Sequence, residues 1–172
     1  MNSSNTNLSA RAIASAELAH QRATGGGLGD IAIYIQIRAC HAMMNDRLAR
    51  LLEPYGLSNV GYFAMMMLYA RPENLANPSD LCDATGETRG NMTRICDELV
   101  DKGWMLRVPN AEDRRRVDLS LSKSGMKLLT DMVPALGQKS AEFYKATFTK
   151  AEKATLQQLL AQFAEALAAA PV

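Results

Sequence analysis

The sequence predicts a mainly α-helical protein that carries one small β-hairpin. Apolar residues recur at helical spacing along most of the chain, and 48% of residues are hydrophobic while only 6% are aromatic, which suits packed helices. Two helical stretches are separated by a turn at Gly86, and an arginine-rich loop then leads into Val117, Leu119 and Leu121, which alternate with polar residues as in a half-buried strand. This order is the pattern of a winged helix-turn-helix, so residues 57–122 are predicted to form a DNA-binding lobe.

The first 29 residues are predicted to form a flexible arm. Residues 1–8 are polar and are expected to be disordered, and the alanine-rich stretch 9–23 is compatible with a short helix. Residues 24–30 are rich in glycine and predict a linker. A phosphate-binding loop is less favoured there, because no strand precedes it and no Gly-Lys-Ser/Thr follows.

A long helix is predicted from about residue 30 to residue 52. Alternating isoleucines from Ile31 to Ile37 would also suit a strand, but an apolar stripe at helical spacing continues beyond them through Cys40, Met44, Leu48 and Leu51. The helix is apolar on more than one side. It is therefore expected to serve a dimer interface as well as the core of its own chain.

Polar caps mark the helices of the lobe. Ser58 can cap a helix that ends near Arg71, and residues 77–79 combine an asparagine cap with Pro78 at the first helical position. The helix after Gly86 is predicted over residues 88–102, with Thr88 as its cap and Gly103 as its end.

This helix, over residues 88–102, is predicted to be the recognition helix. An inward face of Met92, Ile95, Cys96 and Leu99 leaves polar residues on the outward face. The C-terminal half of that face is acidic, which disfavours contact with phosphates, so the N-terminal half is expected to enter the major groove. The candidate DNA contacts there are Thr88, Arg89, Gly90, Asn91, Thr93 and Arg94.

The loop before the second strand is the candidate wing. Arg114, Arg115 and Arg116 lie at the tip of the hairpin, where they suit the negative potential of a narrow minor groove. A cluster of this kind is often only a solvated loop. Directly after a helix-turn-helix, the wing is the favoured interpretation.

Two further helices are predicted after the hairpin. Ser122 opens the first, which contains Pro134 and is expected to kink there. Thr149 and Glu152 form a capping box that starts the last helix. Residues 30–56 and 123–172 together carry more apolar surface than one small domain needs, so they are predicted to form a helical dimerisation region.

Three segments of the sequence resemble the MarR family of bacterial transcription regulators. They are the run 91–104, the residues Asp113 to Arg116, and the segment Leu-Ser-Leu-Ser-Lys-Ser-Gly at 119–125. The resemblance is strongest to the subgroup that controls multidrug efflux, and it covers about residues 30–168. It implies a homodimeric repressor that small aromatic, often anionic, effectors release from DNA. By the family pattern, Asp113 orients Arg115. Two-fold symmetry implies a pseudo-palindromic operator with half-sites about 10 base pairs apart.

The resemblance also implies an effector site between the dimerisation helices and the DNA-binding lobe. Arg38 or His41 could meet a carboxylate there, and a phenolic or heteroaromatic acid is the expected ligand class. An equally fair interpretation makes all the candidates ordinary core or rim residues. The candidates are Tyr34, Arg38, His41, Met44, Tyr62 and Met65.

Neither an enzyme nor a metal site is predicted, and no cofactor is expected. The only histidines are His20 and His41, and His41 points about 100° away from the neighbouring Cys40 on a helix. Three cysteines are too few for a disulfide framework. No signal peptide or membrane span is recognisable, so a cytoplasmic protein is expected.

Two alternatives remain at this level. One is a thiol-based redox sensor on the same fold, acting through Cys40, Cys82 or Cys96. The other is an all-helical protein-interaction module without a DNA-binding role. The net charge of only +1 does not decide between them, because any DNA affinity must come from local placement of the basic residues.

Overall fold

The computed structural model describes residues 3–26, 29, 31–71, 73–110 and 117–171, with side chains from Ile13 onward. The described elements are, in order, α1 Ser3–Thr24, α2 Ile31–Leu52, a 3₁₀ turn Glu53–Tyr55, α3 Asn59–Ala70, β1 Leu75–Ala76, α4 Pro78–Thr85, α5 Arg89–Asp101, β2 Met105–Pro109, β3 Val117–Leu121, α6 Lys123–Thr147 and α7 Lys150–Ala169. The predicted fold, mainly helical with a small hairpin, is confirmed.

Helix α1 is longer than the sequence predicts. It begins at Ser3 and runs without interruption to Thr24, so the expectation of disorder over residues 1–8 is wrong from Ser3 onward. Once the alanine-rich turns have nucleated a helix, each further residue adds a hydrogen bond at little cost. The helix also lies against α2, which adds support that the local sequence does not reveal.

Helix α2 confirms the helical interpretation of residues 30–52. Leu52 at its C-terminal end is buried in the core, whereas Ile33 is 52% exposed and Met44 is 56% exposed. The apolar stripe therefore enters the core of its own chain only at the C-terminal end of the helix. Most of the remaining stripe faces outward.

The predicted caps of the lobe form as expected. The side-chain oxygens of Ser58, Asn77 and Thr88 accept hydrogen bonds from backbone N–H groups three residues further on, at 3.1, 2.9 and 3.3 Å. Gly86 ends α4 with φ of 71°, a left-handed conformation that favours glycine. These contacts fix the start of each helix in the helix-turn-helix.

The three strands form an antiparallel sheet in the order β1-β3-β2. Leu119 and Leu121 of β3 are buried, while Val117 at the start of the strand is 44% exposed. Strand β1 was not predicted. It is only two residues long, too short to show the alternation of apolar and polar residues that marks a strand. It forms because it pairs with β3.

One hydrophobic core lies beneath the helix-turn-helix. Its side chains come from the end of α2, from α3, α4 and α5, from β2 and β3, and from the first half of α6. The core holds the inward face of α5 in place, so the outward face is presented at a fixed orientation. The largest completely enclosed side chains are Leu52, Met65, Leu68, Leu81, Met92, Leu99, Met105, Leu119, Leu129 and Met132.

A tight junction connects the hairpin to α6. The hydroxyls of Ser122 and Ser124 each donate to the carbonyl of Gly103 at 2.6 Å, and the N–H of Ser122 donates to the carbonyl of Trp104 at 3.0 Å. Gly125 is pressed against the same backbone, because a Cβ at this position would lie 2.1 Å from the Trp104 oxygen. Only glycine fits there without displacing the chain.

The C-terminal helices extend beyond the core. Helix α6 stays α-helical on both sides of Pro134, and the predicted capping box of Thr149 and Glu152 opens α7. No residue of α7 is buried, and its large apolar side chains are 38 to 60% exposed. Among the described residues, no helix is long and apolar enough to cross a membrane.

Candidate nucleic-acid interface

Helix α5 has one buried face and one exposed face. Met92, Ile95, Cys96 and Leu99 are at most 3% exposed. Because these side chains anchor the helix, the opposite face is held outward. The six predicted DNA contacts on this helix are all at least partly accessible, with Asn91 half-buried and the other five exposed: Thr88, Arg89, Gly90, Thr93 and Arg94.

Polar side chains on the exposed face of α5 form a connected row. The amide nitrogen of Asn91 donates to the carboxylate of Glu87 at 2.7 Å. The guanidinium of Arg94 donates to the amide oxygen of Asn91 at 3.0 Å and lies 3.8 Å from the carboxylate of Glu98. Glu87 was missed by the sequence analysis, although its spacing of four residues from Asn91 is a usable signal.

The acidic half of α5 is partly neutralised by lysine and arginine residues of the same chain. Lys102 contacts Glu98 at 2.6 Å, and this hydrogen bond lowers the pKa of the Glu98 carboxyl below its usual value. Asp97 forms an ion pair with Arg107 of β2. The carboxylates that would repel a phosphate backbone are therefore partly compensated, and the hairpin is tied to α5 at the same point.

Thr93 and Gly90 take no part in the row of side-chain contacts formed by Glu87, Asn91, Arg94 and Glu98. The Thr93 hydroxyl donates to the carbonyl of Arg89 at 2.9 Å, so its proton is used within the helix. A Cβ added at Gly90 would meet nothing within 4 Å. The described residues therefore leave open space beside the backbone at this position.

The tip of the hairpin lies outside the described residues. The predicted contacts Asp113, Arg114, Arg115 and Arg116 all belong to this tip. The strands that carry it are described, and the side chain of Asn110 donates to Asp118 at 2.7 Å across the base of the loop.

A small cavity lies behind α5. Its volume is about 180 Å³, and its lining residues within the described part of the chain are Pro78, Thr93, Cys96, Arg107, Val117 and Leu119. These lining residues come from α4, α5, β2 and β3. None of the six predicted effector residues lines the cavity.

The six predicted effector residues differ widely in exposure within this single chain. On α2, Tyr34 accepts a hydrogen bond from Arg38 at 3.3 Å, His41 lies 3.1 Å from Asn45, and all four candidates of this helix are exposed. Tyr62 is half-buried, and burial raises the pKa of its hydroxyl. Met65 is completely buried in the core. The predicted site therefore remains a prediction, and it would need a second chain to enclose the α2 residues.

The cysteines differ in access. Cys82 and Cys96 are buried, whereas Cys40 is exposed on α2. Burial, together with the nearby charge of Asp97, raises the pKa of the Cys96 thiol to about 11. Since the thiolate is the reactive form, Cys96 is a poor redox sensor. Among the described residues, no three His, Cys, Asp or Glu side chains lie close enough together to hold a metal ion.

Thiol reactivity follows from this arrangement. In native protein, a disulfide reagent such as dithionitrobenzoate is expected to modify at most one equivalent of thiol, at Cys40, because Cys82 and Cys96 are enclosed. In guanidinium chloride all three cysteines should react. A Cys40→Ser variant should bring the native count to zero. Two or more equivalents in the native state would revive the redox interpretation.

The comparisons with known proteins agree with this geometry. The model of the MarR family matches residues 57–117, from the start of the lobe to β3. The transcriptional repressor MprA of Escherichia coli K12 is 30% identical to the chain over 125 residues, which cover 71% of this chain and 70% of MprA. This chain belongs to the MarR family.

Further MarR-family relatives cover a similar part of the chain. The multiple antibiotic resistance protein MarR of Escherichia coli K12 is 31% identical over 121 residues, covering 69% of this chain and 83% of MarR. A crystal structure of a cysteine-to-serine variant of MarR from E. coli complexed with operator DNA superposes with a TM-score of 0.68 at 25% identity, covering 79% of this chain and 96% of that one. The resemblance seen in the sequence is confirmed. The relatives are transcriptional regulators, which confirms that the chain belongs to a family of regulators rather than enzymes.

Proposed function

We propose that this MarR-family chain is a DNA-binding transcriptional repressor, active as a homodimer on a pseudo-palindromic operator and released by a small aromatic, often anionic, effector. The observation that carries the proposal is α5: its inward face is fixed in the core while its N-terminal half presents Arg89, Asn91 and Arg94 outward. The repressor MprA and the operator-bound MarR variant support the same role. A DNA-binding role also places the protein in the cytoplasm.

Charge decides how α5 would dock. Arginines at its N-terminal half suit the major groove, where Arg94 can take a guanine edge bidentately, and recognition helices contact bases with their N-terminal residues. At the C-terminal half, Asp97 and Glu98 are engaged with Arg107 and Lys102. The wing arginines 114–116 would supply attraction at the adjacent minor groove.

The exposed apolar faces support the homodimer. Helix α7 has 20 residues and none is buried, although most of a helix's stability in proteins comes from packing its apolar face against a partner. Its exposed leucines, together with the exposed isoleucines and methionines of α2, need a partner surface, and a second copy of the same chain supplies it. A two-fold axis then places two α5 helices on successive half-sites, about 10 base pairs apart.

The proposed dimer can be tested by placing one charged side chain in its expected interface and measuring the molecular mass. The native protein should elute in light-scattering chromatography at twice the 18.8 kDa mass of the chain. Leu160→Glu buries a carboxylate in the apolar stripe of α7 and should shift the mass to that of a monomer. Gln158→Glu adds the same charge on another face of α7 and should leave the dimer intact. A native protein of 18.8 kDa at micromolar concentration would contradict the proposal.

Effector release would act through the relative position of the two α5 helices. A ligand shifts this equilibrium only if it binds the DNA-free arrangement more tightly than the DNA-bound one. We place the effector beside the exposed residues Tyr34, Arg38, His41 and Met44 of α2, where a second chain can enclose them. Arg38 or His41 would meet the acidic group of the ligand.

The DNA-binding role is tested by binding to duplex fragments from the gene's own upstream region. We expect a sequence-specific shift whose affinity falls steeply with salt, with a log–log slope of about −0.9 per neutralised phosphate. Neutralising the charges of α5 and of the wing should flatten that slope. A protein that binds no fragment specifically, or whose affinity ignores salt, would favour the alternative of a protein-interaction module.

A further inference from the structure

The amide of Asn91 is held at both ends, so one of its two N–H donors and one of the two lone pairs of its oxygen are already in use. Its nitrogen donates to Glu87 and its oxygen accepts from Arg94. An ionised carboxylate can only accept hydrogen bonds, and a guanidinium can only donate them. The orientation of the amide is therefore set by its two neighbours, with nitrogen toward the N-terminus of α5 and oxygen toward Arg94.

Arg94 is subject to two competing attractions. Its guanidinium is 3.0 Å from the oxygen of Asn91 on the preceding turn and 3.8 Å from Glu98 on the following turn. The nearer contact draws the side chain toward the N-terminal half of α5, which is the half that suits DNA. Without the Asn91 contact, Glu98 would hold Arg94 over the acidic half of the helix.

We propose that Glu87 is a specificity-determining residue: it fixes the Asn91 amide so that Asn91 positions Arg94 for base readout instead of contacting an adenine itself. This inference rests on the proposed DNA-binding function and refines which residue reads the sequence. The expected specificity is one guanine contact made by Arg94, with Asn91 and Glu87 acting through it. Neither is expected to specify a base pair of its own.

The experiment compares base discrimination at every position of a half-site. Duplexes bound by the native protein are selected from a random pool, each base pair of the preferred sequence is replaced in turn, and dissociation constants are measured by fluorescence anisotropy. Arg94→Ala should lose about tenfold or more discrimination at one guanine position. Asn91→Ala and Glu87→Ala should lose discrimination at that same position and at no other.

Charge alone must be separated from positioning. Removing a carboxylate near DNA also lessens the repulsion of phosphates and so raises affinity for every duplex. The measured quantity is therefore the discrimination ratio, which is the dissociation constant for a substituted duplex divided by that for the preferred duplex. Asp83→Ala removes an exposed carboxylate of the neighbouring helix α4 and should leave every ratio unchanged. Adding Glu98→Gln to Asn91→Ala removes the competing carboxylate and should restore part of the lost discrimination.

The outcomes are distinct. Loss of discrimination at a second position in Asn91→Ala would overturn the inference, because Asn91 would then read its own base. So would unchanged ratios in Glu87→Ala. A native protein that selects no sequence from the pool would overturn the proposed function itself. Thermal melts within 2 °C or so of the native protein, as expected for exposed substitutions, confirm that the variants are folded.

Discussion

Gly125→Ala is expected to destabilise the protein by about 3 kcal/mol, the upper range for an overpacked site. The added Cβ would lie 2.1 Å from the carbonyl oxygen of Trp104 and 2.9 Å from its carbonyl carbon. Both are backbone atoms, held in turn by the N–H of Ser122, so neither can swing aside as a side chain would. Thermal unfolding followed by circular dichroism should show a fall in Tm of about 6 to 12 °C.

Gly137→Ala is the matched control for that prediction. Gly137 lies on the same helix, and a Cβ there would meet nothing within 4 Å. Alanine at an open helical site should raise stability by about 0.5 to 1 kcal/mol. Equal melting temperatures for the two variants would contradict the close contact between Gly125 of α6 and the backbone of Trp104.

Arg94→Ala is expected to weaken binding to the preferred operator by about 1 to 3 kcal/mol, roughly 5- to 150-fold, and to relax discrimination at one base pair. The side chain is 67% exposed, so its loss should leave the fold intact. Lys139→Ala removes an equal charge from α6, outside the lobe, and should change affinity far less. Anisotropy titrations with matched and mismatched duplexes measure both quantities.

Arg94→Lys separates charge from recognition. Lysine keeps the positive charge but lacks the planar fork that pairs with two acceptors of guanine. This variant should recover the salt-dependent part of the affinity while discrimination stays relaxed. If Arg94→Ala lowered affinity without relaxing discrimination, and lysine restored that affinity, Arg94 would be shown to contact phosphate instead of a base.

The features that the sequence predicted well depend on local chemistry. The caps at Ser58, Asn77 and Thr88 and the end at Gly86 each involve residues within one turn, and all appear where predicted. The buried face of α5 also follows from spacing alone. Local capping and helical periodicity were therefore enough to locate α5 and its exposed residues.

The features that were missed depend on contacts distant in sequence. Strand β1 exists through its pairing with β3, and the ion pair between Arg107 and Asp97 joins a strand to a helix. The start of α1 at Ser3 accompanies its packing on α2. Helical spacing likewise cannot tell that Met65 faces the core while Tyr34 faces outward.

Because α6 is long, a small change in its angle at the junction with the hairpin moves its other end by a much larger distance. A helix of 25 residues is about 37 Å long, at about 1.5 Å per residue. Its first turn is clamped to Gly103 and Trp104 by Ser122, Ser124 and Gly125, and its far end carries Phe143 against the guanidinium of Arg47 of α2. A tilt of 5° about the clamped end would displace the opposite end by about 3 Å over that length, so small angular changes at the hairpin become displacements of atomic size at the far end of the helix.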